Sequence, residues 1–358
     1  MKLLKWITIY KINSLIIKSF VFISIVMFFC EFIIYYLSIL QCKWPLNQSK
    51  QQDDYVKIML LADTHLLGHV KGHWFDKLRR EWQMYRSFQT AVQLFAPEII
   101  IILGDIFDEG LWANPNHFRE YFLRFHDLFH VNNKSKVYIV VGNHDIGFHY
   151  WTDDYLVRRF EIAFNISSVD WLDVGKGVNL IRINSIAMEG DDCHLCRDAV
   201  EKLYKISSKL PTDNQPILLT HFPLYRESDD ICNEVDSVDF SERMIKFRSK
   251  IDCLSYESSK LLLRLLKPRL VFSGHTHYSC IVNHSNIAQE WSVASFSWRN
   301  NKHPSFLLAQ ISQTKHFISK CFLPNEYHIF FIYSVGALSL FFYNIYSIRF
   351  IYFKRKQN

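Results

Sequence analysis

The chain of 358 residues has no internal repeat, no low-complexity tract, and no basic stripe with interleaved aromatic residues in its middle. Without such a stripe, the net charge of +6 does not indicate nucleic-acid binding, and we expect no nucleic-acid partner. Much of that charge lies in the two terminal tails. Charge is also nearly missing from two long stretches, and these predict the topology of the chain.

The two stretches that lack charge are apolar runs near the ends of the chain. Residues 19–40 contain one charged side chain, Glu31, and residues 327–348 contain none if His328 is neutral. As helices that rise about 1.5 Å per residue, each would be about 33 Å long, enough to cross a bilayer core. A buried core helix is the alternative, but two such runs outside every polar motif favour transmembrane helices.

The first run could instead belong to a cleaved signal peptide. It is longer than a signal core and no small-x-small cleavage site follows it, which favours an uncleaved anchor. Basic residues flank both runs on their outer sides: Lys2, Lys5, Lys11 and Lys18 before the first, and Arg349, Lys354, Arg355 and Lys356 after the second. The positive-inside rule then predicts cytoplasmic tails and a lumenal middle.

This topology predicts six segments. They are a cytoplasmic tail (1–18), a transmembrane helix (19–40), a linker (41–55), a lumenal domain (56–326), a second transmembrane helix (327–348) and a cytoplasmic tail (349–358). Residues 354–358 fit a dilysine retrieval signal that coat machinery reads, although they could serve only as positive-inside charges.

Two weaker signals agree with a lumenal middle. Glycosylation sequons begin at Asn133, Asn165 and Asn283. Cys193 and Cys196 form a CxxC, which could belong to a zinc site, a redox motif or a local disulfide. No second pair for zinc and no thioredoxin-like context is evident, so a disulfide is the favoured interpretation.

Apolar and amphipathic runs alternate through the middle of the chain. Strands are expected at 56–62, 99–103, 137–141, 217–220, 270–272, 290–294 and 306–311, and helices at 79–95, 118–129 and 261–266. This β-α-β-α-β order implies a sheet with helices packed on it. Because the polar motifs are spread along the whole stretch, one domain is favoured over two.

Five polar motifs directly follow apolar strands. They are Asp63-Thr-His65, Gly104-Asp105-Ile-Phe-Asp108, Gly142-Asn143-His144-Asp145, His221, and Gly274-His275-Thr-His277. Strand ends in α/β sheets face the crevice where ligands bind, so the five can converge. Each motif alone is commonly a chance occurrence, but all five in order are hard to obtain by accident.

The side chains of these motifs are metal ligands of one chemical kind. Carboxylate oxygens, imidazole nitrogens and an amide oxygen suit manganese, iron or zinc, and the lack of thiolate argues against a structural zinc site. Residues two apart on a strand project to the same side, so Asp63 and His65 are expected to hold one ion, and His275 and His277 to flank a pair. The glycines before Asp105, Asn143 and His275 would allow tight turns.

This ordered set resembles the calcineurin-like metallophosphoesterase superfamily, with every core position filled. The resemblance implies an α/β fold of two packed mixed β-sheets flanked by helices, a four-layer sandwich, here between two transmembrane helices. It also implies two divalent ions, with manganese the family expectation and zinc or iron possible. Its ligand roles would be one ion on Asp63, His65 and His277, a second on Asn143, His221 and His275, and Asp105 between them.

The same resemblance implies that His144 lies beside the substrate and that Asp145 orients it. Residues 72–112 and 220–226 are similar to a membrane-anchored branch of the superfamily, the GPI-glycan phosphodiesterases. That likeness implies removal of ethanolamine phosphate from the second mannose of GPI anchors, with GPI-anchored proteins as substrates. It places the protein at the endoplasmic reticulum, its exit sites, the ER-Golgi intermediate compartment and the cis-Golgi. Residues 173–215 carry no recognised motif, and the expected substrate gains no support from them.

Three further sets of residues carry weaker expectations. Asp108 is expected to orient a ligand histidine and not to bind metal itself. Arg226 could contact the phosphodiester or only solvate a loop. Asp191, Asp192 and His194 could form a third metal site, but a solvated acidic loop is favoured.

Three other functions compete with the phosphodiesterase. A phosphatase for a small lumenal phosphate compound would need no membrane tether. A metal sensor or cargo receptor without activity is favoured by loss of a ligand, and no ligand is lost. A manganese-homeostasis protein would need more than two spans for transport.

Overall fold

The structure is a computed structural model that describes residues 2–45, 55–132, 134–189, 191, 193–211, 213–284 and 287–357, with side chains between residues 10 and 353. Most of the expected 41–55 linker, the sequon residue Asn133, and Asp192 therefore lie outside the described residues. The chain divides into two compact units. One is Ile39–Leu323, and the other combines Met1–Ser38 with Pro324–Asn358.

The described helices and strands follow in chain order. The helices are α1 Lys2–Phe28, α2 Ile34–Ile39, α3 Trp74–Phe95, α4 Pro115–Leu128, α5 Asn143–Ile146, α6 Asp154–Phe164, α7 His194–Ser207, α8 Tyr256–Leu266 and α9 Glu326–Gln357. The strands are β1 Val56–Leu61, β2 Ile99–Ile102, β3 Lys136–Ile139, β4 Val169–Asp173, β5 Asn179–Ile183, β6 Ile217–Leu219, β7 Leu270–Ser273, β8 Cys280–His284, β9 Ala288–Ser292, β10 Ser305–Ile311 and β11 His316–Phe322.

The smaller unit contains two helices that are long and apolar enough to cross a membrane, Tyr10–Ile39 and Glu326–Phe353. They indicate a membrane protein. The one carboxylate in the first helix, Glu31, accepts a hydrogen bond from the Tyr333 hydroxyl on α9 at 2.5 Å. Helix α1 begins at Lys2, inside the expected tail, because residues 2–18 contain neither proline nor glycine.

The larger unit is built on two mixed sheets. The first has the strand order β11-β10-β1-β2-β3, and the second has the order β4-β5-β6-β7-β9-β8. In the first sheet β1, β2 and β3 run parallel, while β10 pairs antiparallel with β1. In the second, β5, β6, β7 and β9 run parallel. The alternation of these strands with helices produces the expected mixed α/β architecture.

Four layers follow from the alternation of side chains along the central strands. Ile58 and Leu60 of β1 pack with Leu219 and Phe272 in a core between the two sheets. Met59, next in the chain, packs on the opposite face among side chains of α3, α4 and α6. On the second sheet the outer core joins β6 and β7 to α7 and α8. The helix–sheet–sheet–helix sandwich is therefore confirmed.

Element bounds differ from the sequence predictions where local signals are unusual. Helix α3 begins five residues before position 79, because His73 caps it by accepting the Phe75 amide at 3.3 Å. Strand β9 ends at Ser292, two residues before the expected end, where the chain turns towards the site. Several elements were not predicted: α6, α7, β4, β5, β8 and β11.

Candidate metal centre

The five polar motifs meet at one edge of the two sheets. Each motif follows the end of a strand, three in the first sheet and two in the second. The structure brings the carboxylates and imidazoles among the predicted ligands into two groups that share Asp105. The groups are Asp63, His65, Asp105 and His277, and Asp105, His221 and His275, with Asn143 beside His221.

Left-handed turns, and not strand alternation, aim these ligands at one another. Asp63, His65, Asp105, His275 and His277 all have positive φ, between 44° and 72°. Strands β1 and β7 have already ended at Leu61 and Ser273, so the expected i, i+2 projection from a strand was wrong as an explanation. Such backbone typically costs on the order of 1–3 kcal/mol per residue and persists where the surrounding structure holds it.

Two of the glycines are required by the close packing of the ligands. Gly104 has φ +94°, and a Cβ there would lie 2.4 Å from Nδ1 of His221. A Cβ on Gly142 would lie 2.2 Å from Oδ1 of Asp105, although the backbone of Gly142 is ordinary. A side chain at either position would displace a predicted ligand.

The first group brings carboxylate oxygens and imidazole nitrogens close together. Nδ1 of His65 lies 3.2 Å from Oδ1 of Asp108 and donates to it, so Nε2 carries the lone pair. That Nε2 lies 3.0 Å from Nε2 of His277 and 3.4 Å from Oδ2 of Asp105. Oδ1 of Asp63 lies 4.0 Å from the same His277 nitrogen. A cation between them would take these atoms as ligands.

The second group repeats the arrangement. His221 donates through Nδ1 to the carbonyl oxygen of Leu103 at 2.7 Å, which leaves the lone pair on Nε2. This Nε2 lies 3.3 Å from Oδ1 of Asp105 and 3.1 Å from Oδ1 of Asn143. His275 donates through Nε2 to the carbonyl of Ile251 at 2.7 Å, and its buried Nδ1 has no partner among the described residues.

These atoms fit two divalent metal ions. The two oxygens of Asp105 are directed at different histidines, one in each group, as a bridging carboxylate requires. The donor set is oxygen and imidazole nitrogen without thiolate, which suits a hard or borderline cation. The hydrogen bonds to Asp108, Leu103 and Ile251 fix the tautomer of three histidines, a common support of metal ligands.

The charges of the buried groups are strongly coupled. Burial alone would raise the pKa of Asp105, but His221 and His65 hold it well below its usual value. Burial would lower the pKa of His221, yet Asp105 raises it to about 9. Burial, together with His221, lowers the pKa of His275 to about 3, so this ring is neutral. The neutral ring of His275 is ready to bind metal, whereas His221 would release a proton when a metal binds.

Comparison with known proteins decides the family. The calcineurin-like phosphoesterase family profile matches residues 56–279, more than half of the chain and all five motifs. The chain belongs to the calcineurin-like phosphoesterase family. The resemblance based on the motifs is thereby confirmed, and the chain is a metal-dependent phosphoester hydrolase.

Relatives are similar over nearly the whole of this phosphoesterase. Metallophosphoesterase 1 of Gallus gallus is 46% identical over 350 residues, which cover 90% of this chain and 88% of that protein. Metallophosphoesterase 1 of Xenopus laevis is 45% identical over 347 residues, covering 89% and 85%. A dimetal phosphatase structure from Danio rerio aligns with a TM-score of 0.45 at 11% identity, over 75% of this chain and 96% of that one. The family assignment does not depend on this last likeness.

His144 and Asp145 of the phosphoesterase have different surroundings. His144 is partly exposed, its ring centroid lies 4.7 Å from that of His65, and its Nδ1 donates to the carbonyl of Asp108 at 3.0 Å. Asp145 is buried and accepts the amides of Phe107 at 3.0 Å and Gly142 at 2.9 Å. The expectation that Asp145 orients His144 is corrected: Asp145 joins two site loops, and the residue that holds the ring is Asp108.

Asp108 and Arg226 were both given uncertain roles by the sequence. Asp108 supports His65 as expected, and its other oxygen lies 3.0 Å from Nη2 of Arg299, a residue that the sequence reasoning missed. The signal for Arg299 was available, since the polar stretch 299–301 also follows an apolar run.

Arg226 is buried, and its hydrogen bonds go to residues other than the predicted metal ligands. Its Nε donates to Asp229 at 2.8 Å and its Nη1 to Ser292 at 3.0 Å, while the guanidinium lies over the ring of Phe247 at 5.1 Å. The possibility that Arg226 contacts the phosphodiester is replaced by a role in fixing the loop that follows β6.

The CxxC of the phosphoesterase forms the expected local disulfide between Cys193 and Cys196. Asp191 pairs with Nε2 of His149 at 2.6 Å, and His194 pairs with Asp154 on the surface. Asp191 and His194 therefore pair with different partners, and the structure does not bring them together as ligands of a third ion. With the sulfurs bonded to each other, they are not thiolate ligands either.

A long connection between β6 and α8, the 220–255 loop, completes the surroundings of the site. It was not predicted, although a stretch of this length without a regular pattern is a sign of function. A pocket of about 460 Å³ lies between this loop and the predicted metal ligand His275, and Lys246, Phe247, Arg248 and Tyr278 contribute to its walls. A disulfide from Cys232 to Cys280 fastens the loop to β8.

Proposed function

We propose that this protein is a two-metal phosphodiesterase that removes ethanolamine phosphate from the second mannose of GPI anchors on the lumenal side of early secretory membranes. The observation that carries the chemistry is the pair of ligand groups that share Asp105. The substrate is supported by the likeness of residues 72–112 and 220–226 to GPI-glycan phosphodiesterases and by two helices that can hold the enzyme in a membrane.

Two divalent ions at these residues, most consistently manganese, would lower the pKa of water towards neutrality and offset the charge of the phosphate. Zinc and iron suit the same donors. The chain itself fixes the positions of the ligands. Asp105 is held between the two groups, and the amide of His144 donates to its Oδ1 at 2.8 Å.

His144 is the residue placed to handle the proton of the leaving group. Its Nδ1 is held by the carbonyl of Asp108, which leaves Nε2 as the ring nitrogen that can meet a substrate. A protonated Nε2 would donate to the departing sugar alkoxide, whose conjugate acid is weak. The guanidinium of Arg299, beside Asp108, adds positive charge where a phosphate would approach.

The test uses the full chain in detergent, loaded with manganese, and a GPI glycan that bears ethanolamine phosphate on its mannoses. Mass spectrometry would report each mannose. We expect loss of ethanolamine phosphate from the second mannose only, and no loss with Asp105→Ala. Asp198→Ala is the matched control, since this exposed carboxylate on α7 pairs with Lys202 and Ser168.

Other outcomes separate the alternatives. Cleavage of a soluble aryl phosphodiester that depends on Asp105, with the GPI glycan left intact, would retain the chemistry and remove the GPI substrate. Two bound metals per chain with no cleavage of either compound would favour the metal-binding cargo receptor.

The lumenal orientation and the compartment are tested separately. Asn165 is exposed at the end of α6, so a lumenal domain would carry a glycan there that Asn165→Gln removes. Failure of a glycosidase to shift the wild-type band at all would argue against the proposed orientation. For retrieval by coat machinery, Lys354→Ser with Lys356→Ser should move the protein from early membranes to later ones, and an unchanged distribution would leave these residues as positive-inside charges.

A further inference from the structure

The 220–255 loop exposes an unusual number of large apolar side chains. Phe240, Met244 and Ile245 are 85%, 74% and 62% exposed, and Ile231 and Val235 of the same loop are exposed as well. Single exposed apolar residues are normal on a protein surface, but several on one loop indicate a surface that binds something. Charged side chains of both signs interleave with these residues in the sequence, the basic ones at Arg243 and Lys246 and the acidic ones at Asp239 and Glu242.

The base of this loop is tied to the last strand of the catalytic unit. Nζ of Lys320, on β11, lies 2.6 Å from Oδ1 of Asp236 and 3.4 Å from Glu234. The other oxygen of Asp236 accepts from Ser305 on β10 at 2.6 Å. The ammonium of Lys320 is largely buried, so this is a fixed connection and not a fluctuating surface pair.

The chain enters and leaves the catalytic unit beside that connection. Cys321, next to Lys320, is disulfide-bonded to Cys42, so the two ends of the unit are adjacent. Helix α9 begins at Glu326, and six residues of extended chain reach at most about 20 Å. The chain therefore allows at most about 20 Å between Lys320 and the first residue of α9.

The same loop reaches the metal site. The Ile251 carbonyl accepts from His275, and Lys246, Phe247 and Arg248 line the 460 Å³ pocket beside that ligand. One loop thus carries both the exposed apolar side chains and a wall of the pocket. A bilayer in contact with the exposed apolar side chains would place lipid-linked compounds near the pocket.

We propose that Phe240, Met244 and Ile245 insert into the interfacial region of the bilayer that the two apolar helices cross, and that this brings the pocket to phosphate esters carried on lipid anchors. Aromatic and aliphatic side chains interleaved with arginine and lysine suit the headgroup boundary. The identity of the substrate rests on the proposed function. The docking of the loop on lipid does not.

The first test measures how deeply the loop enters the bilayer. The full chain with Met244→Cys would carry an environment-sensitive fluorophore in phosphatidylcholine nanodiscs. Nitroxide groups on the lipid acyl chains should quench it by at least half, and aqueous iodide should quench it less than in detergent. Ile162→Cys is the matched control, because Ile162 is 81% exposed on α6 and should remain open to iodide. The two free cysteines, Cys30 and Cys253, are buried, and the unsubstituted chain gives the background.

Three results would overturn the docking. The first is equal accessibility of the Met244→Cys label to iodide in nanodiscs and in detergent. The second is equal quenching at both labelled positions. The third is shielding of the label from iodide without quenching by the lipid nitroxide, which would indicate that a protein covers the loop.

The effect of docking on catalysis is tested by comparing the hydrolysis of two substrates, one soluble and one embedded in lipid. Phe240→Ser with Met244→Ser should leave metal content and hydrolysis of a soluble aryl phosphodiester unchanged, because neither residue lines the pocket. Turnover of a GPI glycolipid embedded in the nanodisc should fall at least fivefold. Equal loss on both substrates, or none on the embedded one, would contradict the proposal. If the wild type cleaves only the aryl ester, the GPI assignment fails, and the label still decides whether the loop meets lipid.

Discussion

Oδ1 of Asp108 accepts a hydrogen bond from Nδ1 of His65 at 3.2 Å, and both side chains are buried. The pair fixes which nitrogen of His65 can bind metal. The same Asp108 holds the ring of His144 through its carbonyl oxygen. One residue therefore supports both a predicted metal ligand and the predicted proton donor.

Asp108→Asn is expected to weaken metal binding in the group that contains His65 by about 10–100-fold, because the amide keeps the shape but loses the charge that orients and polarises the ring. Titration of the metal-free chain with manganese, followed by calorimetry, measures this directly. Hydrolysis of a soluble aryl phosphodiester at limiting metal should fall in parallel. Asp198→Asn serves as the control, and equal affinities for the two variants would remove the orienting role.

Arg226→Met is expected to destabilise the fold by about 3–5 kcal/mol, because it leaves the buried carboxylate of Asp229 without its partner. The unfolding temperature should fall, while KM of the folded fraction for an aryl phosphodiester should stay unchanged. A second substitution, Asp229→Asn, should recover part of the lost stability. A rise in KM at unchanged unfolding temperature would show that Arg226 touches the substrate after all.

The thiol of Cys253 should resist alkylation in the native protein. Burial raises its pKa from 9.0 to about 11, so almost none is thiolate at neutral pH. Iodoacetamide at pH 7.5 should leave Cys253 unmodified until the chain is denatured, as read by mass spectrometry of its peptide. The exposed thiol of Met244→Cys is the positive control within the same loop. Similar rates at the two positions would contradict the assigned burial.

Glu290 predicts a pH dependence of stability away from the metal site. It is buried between Nε2 of His284 at 2.6 Å and Oγ of Ser273 at 2.7 Å. Burial alone would raise its pKa, but these hydrogen bonds hold the pKa below its ordinary value of 4.5. The ionised carboxylate therefore stabilises the fold fully above about pH 4.5, and that contribution is lost as the pH falls through the lowered pKa.

Unfolding temperatures of metal-free protein between pH 3 and 7 measure this effect. Glu290→Gln should be less stable than the wild type at pH 7, and the difference should shrink as the pH falls. A difference that stays constant with pH would mean that Glu290 contributes through packing and not through its charge.

Local signals predicted much of the fold and of the candidate site. A run without charge predicts a helix that can span a membrane wherever it lies in the chain, because an apolar segment of that length is stable in lipid by its own composition. The positions of β1, β2 and β3 followed from apolar runs, and the motifs after them followed from residue type. Helix α7 and strands β4 and β5 were missed although α7 is amphipathic and β4 alternates between more and less buried side chains, so local signals were present for two of the three.

Local signals did not predict contacts between distant parts of the chain. His65 and His277 are 212 positions apart, and nothing local says that their Nε2 atoms meet at 3.0 Å. Asp145 was read as the partner of His144, its neighbour in the chain, whereas its hydrogen bonds go to backbone amides across the site. The sequence left two roles open for Arg226, contact with the phosphodiester or solvation of a loop. The structure shows that Asp229 and Ser292 hold its side chain.

The sequence by itself determined the chemistry that this protein can perform, because metal preference depends on the kinds of donor atoms. Those atoms belong to the side chains of Asp63, His65, Asp105, His221 and the other predicted ligands. It also determined the two apolar helices, because hydropathy is a property of a segment alone. Only the tertiary structure decided how the ligands divide into two groups around Asp105, which tautomers they adopt, and which loop covers them. Those features depend on packing between residues that are far apart in the chain, and distances of that kind exist only in the folded state.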